Sequence, residues 1–172
     1  MSDCPSSNTP HTADILIVFP PCWGVDEPPP GPAFLSSYVS THGLEADVLD
    51  ANIIFYSEVR QGDRCLWEMR NKNFWRDENK LRQFLRRYSG IFEKIIKQIL
   101  DHPAKCIGFS VAETRKFTTL EIIKRIRDEG DRRKIILGGP SFLTERSRGF
   151  FISRVGNAID AMVVGEGELS RL

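Results

Sequence analysis

The residues able to do chemistry sit at the ends of short apolar runs. Gly138, Gly139 and Pro140 close one run, and Gly165, Glu166, Gly167 and Glu168 close another. Glycine at the end of a buried strand lets backbone amides approach a ligand with no Cβ in the way, although glycine there is also ordinary turn chemistry. Ser110, Val111 and Thr114 follow a third run. The Ser110 and Thr114 hydroxyls suit either a polar ligand edge or a cap for the following helix. The fourth loop, FPPCWGVDEPPPGP from Phe19 to Pro32, sets Pro20, Pro21, Trp23 and Gly24 directly after an apolar run. A plain strand-to-helix connection takes about two to six residues, so this longer, stiffer loop has another task. Trp23 serves it either as an aromatic platform or as an anchor packed on the domain's own surface. Together these residues make a binding surface and lack a reacting group.

Several chemistries are missing their residues. No GxGxxG follows the first apolar run, and there is no GxxxxGK[ST], so neither a dinucleotide fingerprint nor an NTP phosphate loop is present. A phosphorylatable receiver site would need an acidic cluster after the first run and an aspartate after the third, where Pro20-Pro21 and Ser110-Val111-Ala112-Glu113 stand. His11, His42 and His102 have no positioned Asp or Cys partner in sequence. Cys4, Cys22, Cys65 and Cys106 are far apart and form no metal-ligand spacing. Cys22 has no base, basic neighbour or second cysteine close in sequence, so no covalent role is expected of it.

The elements that must hold these loops are legible in periodicity. ILIVF (Ile15–Phe19), CIGFSV (Cys106–Val111), KIILGG (Lys134–Gly139) and AMVVG (Ala161–Gly165) are continuous apolar runs, the pattern of parallel strands buried on both faces. EADVLD (Glu45–Asp50) is a weaker fifth strand. Helical patterns lie between them: Phe34, Leu35, Tyr38 and Val39 as one stripe before Gly43; Leu81 to Ile99 at steps of three and four; Thr118–Glu129 before Gly130; and a weaker pattern over Glu145–Val155. Strand–helix alternation of this kind predicts an α/β, flavodoxin-like (Rossmann-like) doubly wound parallel sheet of five strands in the order 2-1-3-4-5. Ligands of such sheets bind beyond the carboxyl ends of the strands, at the switch point, where all four loops should meet.

One segment interrupts the rhythm. Ser57–Lys80 is too long for a connection, and Arg60 to Lys97 carries eleven Lys/Arg against five Asp/Glu, with Trp67, Phe74 and Trp75 among them. A basic aromatic surface for RNA or a partner is one reading. A helical excursion whose aromatics pack inside and whose charges are solvated is the favoured one. Elsewhere composition is ordinary for a globular chain: 41% hydrophobic, 27% charged, net charge +1 over 172 residues. That balance gives no pull toward nucleic acid. No apolar run nears the roughly 20 residues that span a bilayer, and the polar start MSDCPSSNTPHTAD is no signal peptide. A reduced, cytoplasmic setting is expected, with residues 1–13 as a disordered lead and 14–172 as the domain.

Taken in order, PPCWGVDEPPPGPAFLSSYVSTHG, DVLDANI, IGFSVAETRKFTTLEIIKRI, IILGGP and IDAMVVGEGE resemble the N-terminal cobalamin-binding domain of cobalamin-dependent radical SAM enzymes, over about Ile15 to Glu168. The resemblance implies a Rossmann-like domain whose loops surround a corrin and receive its nucleotide tail. It implicates Pro20, Pro21, Trp23 and Gly24; Ser110, Val111 and Thr114; Gly138, Gly139 and Pro140; and Gly165, Glu166, Gly167 and Glu168. The DxHxxG motif of other cobalamin modules is absent, so no histidine is expected beneath cobalt. CxxxCxxC is also absent, so neither an iron–sulfur cluster nor a SAM site is expected in this chain, and none of its residues is assigned a catalytic role. The chain stops at GEGELSRL, where a last helix would begin. The expectation is therefore a cobalamin-binding module, not catalytic alone, serving a radical SAM catalytic domain or partner protein. The alternatives are a flavodoxin-like interaction or regulatory domain without cofactor, and a flavin or nucleotide binder.

Overall fold

The computed structural model describes residues 13–165. Most of the expected lead thus lies outside the described residues, while Ala13 is fully buried. The chain runs through β1 (Ile15–Val18), α1 (Pro30–Thr41), β2 (Ala46–Leu49), α2 (Ala51–Glu58), the single turn α3 (Lys72–Trp75), α4 (Glu78–Arg87), α5 (Ser89–Asp101), β3 (Cys106–Ser110), α6 (Lys116–Asp128), β4 (Lys134–Gly138), α7 (Glu145–Val155) and β5 (Ala161–Met162). The five strands form one sheet in the order β2-β1-β3-β4-β5. Every pairing is parallel. This is the doubly wound, flavodoxin-like arrangement that the apolar runs predict.

Alternation along the strands divides the sheet into two faces. Leu16, Val18, Ile107, Phe109, Ile135 and Leu137 join the core together with Ile95, Ile96 and Ile99 of α5 and Leu120, Ile123 and Ile126 of α6. Helices α2, α5, α6 and α7 touch one another in that sequence and form one layer. Right-handed crossovers put α1 on the other face, where it contacts β2. The expected stripe of α1 is less enclosed than its pattern implies. Phe34 is 57% exposed, Val48 of the neighbouring edge strand is 44% exposed, and Pro32 is the buried residue of the helix. An edge strand offers one flank instead of a groove between strands, so the stripe lies on a rim.

The excursion between β2 and β3 belongs to the core. Two 3-10 segments, Gln61–Trp67 and Met69–Asn71, lead into α3 and α4. Trp67, Trp75 and Phe84 are buried around one another, with the two indoles 4.8 Å apart edge to face and Phe84 5.4 Å from Trp75. Each indole N–H finds an acceptor: Trp67 Nε1 donates to Asn52 Oδ1 at 2.7 Å and Trp75 Nε1 to Leu66 O at 2.7 Å. Rings packed and bonded this way cannot stack on bases. Much of the basic surface is also paired, as in Lys94 with Glu58 and Arg82 with Glu78.

Two differences from the periodic pattern have local causes. The Leu81–Ile99 stripe is one apolar face but two helices, because Tyr88 leaves helical geometry at φ −110° and ψ 36°. Its hydroxyl bonds Asp63, tying the break to the excursion. Helix α2 hides in ANIIFYSE, whose Ile53-Ile54 pair is β-branched, and it starts because the Asp50 side chain accepts the Ile53 N–H. The end of α5 is finished by a distant residue: Arg133 donates to Ile99 O at 2.7 Å and His102 O at 2.6 Å, satisfying terminal carbonyls.

Trp75→Ala should therefore lower stability by about 3–5 kcal/mol, whereas Phe34→Ala should change it by no more than about 0.5 kcal/mol. Urea midpoints at unchanged slope measure both. Equal effects would contradict this division between core and rim.

Candidate functional site

The carboxyl ends of β1, β3 and β4 meet, and the chain holds their loops together by bonds of its own. Thr114 Oγ1 donates to Cys22 O at 3.0 Å, joining the loop after β3 to the loop after β1. Thr114 is thus a clasp between loops. The N-cap position of α6 falls to Arg115, whose side chain makes no capping bond. On the other flank, the Trp23 N–H donates to Asn52 Oδ1 at 3.0 Å. That same oxygen receives Trp67 Nε1, so one buried amide positions both the loop and the excursion. The loop itself contains a cis peptide between Pro21 and Cys22.

Loop contacts between β3 and β4 are closer still. The Val111 N–H donates to Gly138 O at 2.7 Å, and the Ser141 N–H to Val111 O at 3.2 Å. Gly139 has φ 105°, and a Cβ there would lie 2.7 Å from Val111 O. Its glycine character is required by the approach of the chain to itself, which is the turn-chemistry reading. Gly24, by contrast, has open space around it, and Gly138 would meet only Val163 Cβ at 3.7 Å. Pro20, Pro21 and Val111 are buried, Ser110 is half-buried at the end of β3, and Pro140 is exposed. Gly165, with φ 97°, stands in open space; Glu166, Gly167 and Glu168 lie outside the described residues.

Trp23 is both platform and anchor. The residue is 39% exposed, and its ring sits edge-on to Phe19, with centroids 6.2 Å apart. Beside it lies a residue that sequence reasoning missed. Arg115 is only 3% exposed, and its guanidinium carbon lies 4.1 Å from the Phe19 ring centroid and 5.5 Å from that of Trp23. Its Nε and Nη1 are buried without a hydrogen-bond partner among the described residues. Loss of solvation pushes the guanidinium down to about 10, opposed by the nearby Cys22 and Asp50, so it remains a cation at neutral pH. In sequence it was one basic residue among ETRKFTT. Only its position immediately before an apolar helix, with its side chain forced over the β1 end, sets it apart.

Cys22 is buried, and burial pushes its thiol up to about 12 despite the nearby Arg115 charge. The fold thus supplies the basic neighbour that the local sequence lacks, and desolvation still keeps the sulfur protonated. A nucleophilic role needs the thiolate, which this environment withholds.

Beside the loop, Val25, Asp26, Tyr56, Arg64 and Trp67 line an open groove of about 440 Å³ between loop and excursion. A second groove of about 400 Å³ lies between the far ends of α6 and α7, along Lys124, Arg132 and Arg154. It is remote from the strand ends that gather the loops.

Gly139→Ala should cost at least ~1–3 kcal/mol for the backbone conformation alone, with the collision at Val111 added, while Gly24→Ala should leave stability within about 0.5 kcal/mol of the parent. Thermal and urea unfolding of the two variants compare them. A harmless Gly139→Ala would contradict the close approach.

No protein-family model matches the chain, and neither a curated protein nor a solved structure matches it.

Proposed function

We propose that the chain is a corrinoid-binding module that holds cobalamin for a radical SAM catalytic domain or partner and carries out no reaction alone. The observation that carries this reading is the convergence of the Phe19–Pro32, Ser110–Arg115 and Gly138–Pro140 loops at the switch point of a 2-1-3-4-5 sheet. The residues there fit such a ligand. A corrin is broad and apolar on its faces with amides around its rim, so it calls for a flat uncharged platform and scattered polar partners. Trp23 supplies the first, and the buried Pro20 and Pro21 stiffen the loop that carries it. For the second, Ser141 Oγ and Thr118 Oγ1 are buried without partners among the described residues. Buried polar groups are otherwise almost always satisfied. Bound cobalamin would supply the cobalt–carbon chemistry. This chain's own part is to bind and orient, and the Phe19–Pro32 loop offers no histidine to cobalt.

A second reading, an interaction domain without cofactor, draws on the exposed Phe34, Leu44 and Val48 along the α1–β2 edge. Such apolar rims suit a protein partner.

Protein mixed with hydroxocobalamin should keep the corrin spectrum through gel filtration, at about one equivalent. A colourless protein peak would overturn the corrinoid reading. Retention of flavin or a nucleotide in a parallel run would point to the third class of ligand.

A further inference from the structure

Arg115 is the most costly residue in the site to explain by folding alone. A buried cation is ordinarily paired, because an unpaired charge or donor in a low-dielectric interior loses its hydration without return. Here stacking on Phe19 and Trp23 offsets part of that loss. It does not supply acceptors for Nε and Nη1. The two groups that face the guanidinium electrostatically are Cys22 and Asp50. Cys22 is a protonated thiol. Asp50 is engaged in capping α2, and burial raises its carboxyl.

Three further features point the same way. Arg115 stands at the N-cap of α6, a helix of 13 residues, and no acidic side chain occupies the first turn. The helix amides and dipole therefore add to the positive potential. Thr118, one turn along on the same side of the helix, also has a buried hydroxyl without a partner among the described residues. Trp23, which lies against the guanidinium, is the least buried of the loop's packed rings. Its ring touches only the Phe19 edge and the guanidinium among the described residues, whereas the loop backbone is held by the bond to Asn52 and the Thr114–Cys22 clasp, so the indole can turn aside without releasing the loop.

We propose that Arg115 receives a phosphate oxyanion, with the Trp23 ring as its displaceable cover. A phosphate provides several acceptor lone pairs in the geometry that guanidinium nitrogens and a helix N-terminus both favour. The phosphate either belongs to the nucleotide tail of a corrinoid, in which case the assignment rests on the proposed function above, or arrives on a free phosphate compound. Two arms separate these sources.

In the first arm, wild type, Arg115→Gln and Arg115→Lys are titrated with cyanocobalamin and with dicyanocobinamide, which lacks the phosphodiester and nucleotide. Wild type should prefer cyanocobalamin roughly tenfold to a hundredfold, the range of a charge-assisted hydrogen bond. Arg115→Gln should lose that preference with cobinamide affinity unchanged, and Arg115→Lys should keep part of it. Equal, measurable affinity of wild type for both corrinoids would overturn the corrinoid tail as the source of the phosphate and leave the oxyanion site to the second arm. Equal loss of both in the two variants would overturn the proposal, since it marks a purely structural residue.

In the second arm, inorganic pyrophosphate is titrated while tryptophan fluorescence is followed. A saturable change seen in wild type but absent from Trp23→Phe and Arg115→Gln supports the oxyanion site even where neither corrinoid binds, an outcome that would sink the corrinoid reading alone. No corrinoid binding together with no saturable change overturns both. Circular dichroism of each variant shows whether it is folded. Should Arg115→Gln fail to fold, the Arg115→Lys and Trp23→Phe titrations decide the matter.

Discussion

The pairing of β1 with β3 is the constraint on which the rest depends. Ile15 to Val18 lie beside Cys106 to Phe109, so a strand from the start of the chain is zipped to one that forms much later. Because the intervening β2 takes the outer flank, the direction of winding reverses at this pair and the two following loops open toward each other. That is why Thr114 can reach Cys22 across 92 residues of sequence. It is also why the chain between β2 and β3 must leave the sheet, cross over and return. Contacts so distant in sequence bring a large loop-closure entropy, and the aromatic cluster of the excursion offsets it by burying Trp67, Trp75 and Phe84 on the way.

The excursion thereby becomes part of the scaffold. Its rings lie edge to face in the geometry that aromatic quadrupoles favour, each pair contributing about 0.5–1.5 kcal/mol beyond area burial. Its charges lie outward, many of them in ion pairs such as Lys94 with Glu58. Exposed pairs of this kind contribute little stability individually. Their consequence is a solvated surface around an apolar cluster.

How much of this could be read from the residues depended on the range of the physics. Continuous apolar runs such as IILGG report burial on both faces directly, so the strands, the winding and the meeting of the loops after β1, β3 and β4 were legible. Helix α6 was legible to within two residues, since Leu120, Ile123 and Ile126 keep a clean period and Gly130 stops it with φ 88°. The break at Tyr88 was not, because the stripe continues in phase across it. The exposure of Phe34 was not, because periodicity gives the direction of a face and not what covers it. Within the site, the loops were legible and their bonding was not. Thr114 was weighed as a ligand group or a cap, and its hydroxyl donates to Cys22 O across the two loops; Gly139 serves the chain's own approach to Val111, and Arg115 looked like any surface cation. Each of these roles is created by a partner distant in sequence.

Asn52 carries a consequence of its own. Its single side-chain oxygen accepts from Trp23 in the loop and from Trp67 in the excursion, and the residue is 2% exposed. An oxygen with two lone pairs and two donors has no capacity left. Any drift in the packing of Trp67 must therefore be transmitted to the loop, or one donor goes unsatisfied. Loop and excursion, although separated in sequence by α1, β2 and α2, form one inherited unit: among descendants of this sequence, positions 52 and 67 should change together or not at all, and position 23, which contributes only its backbone N–H, should accept any residue but proline.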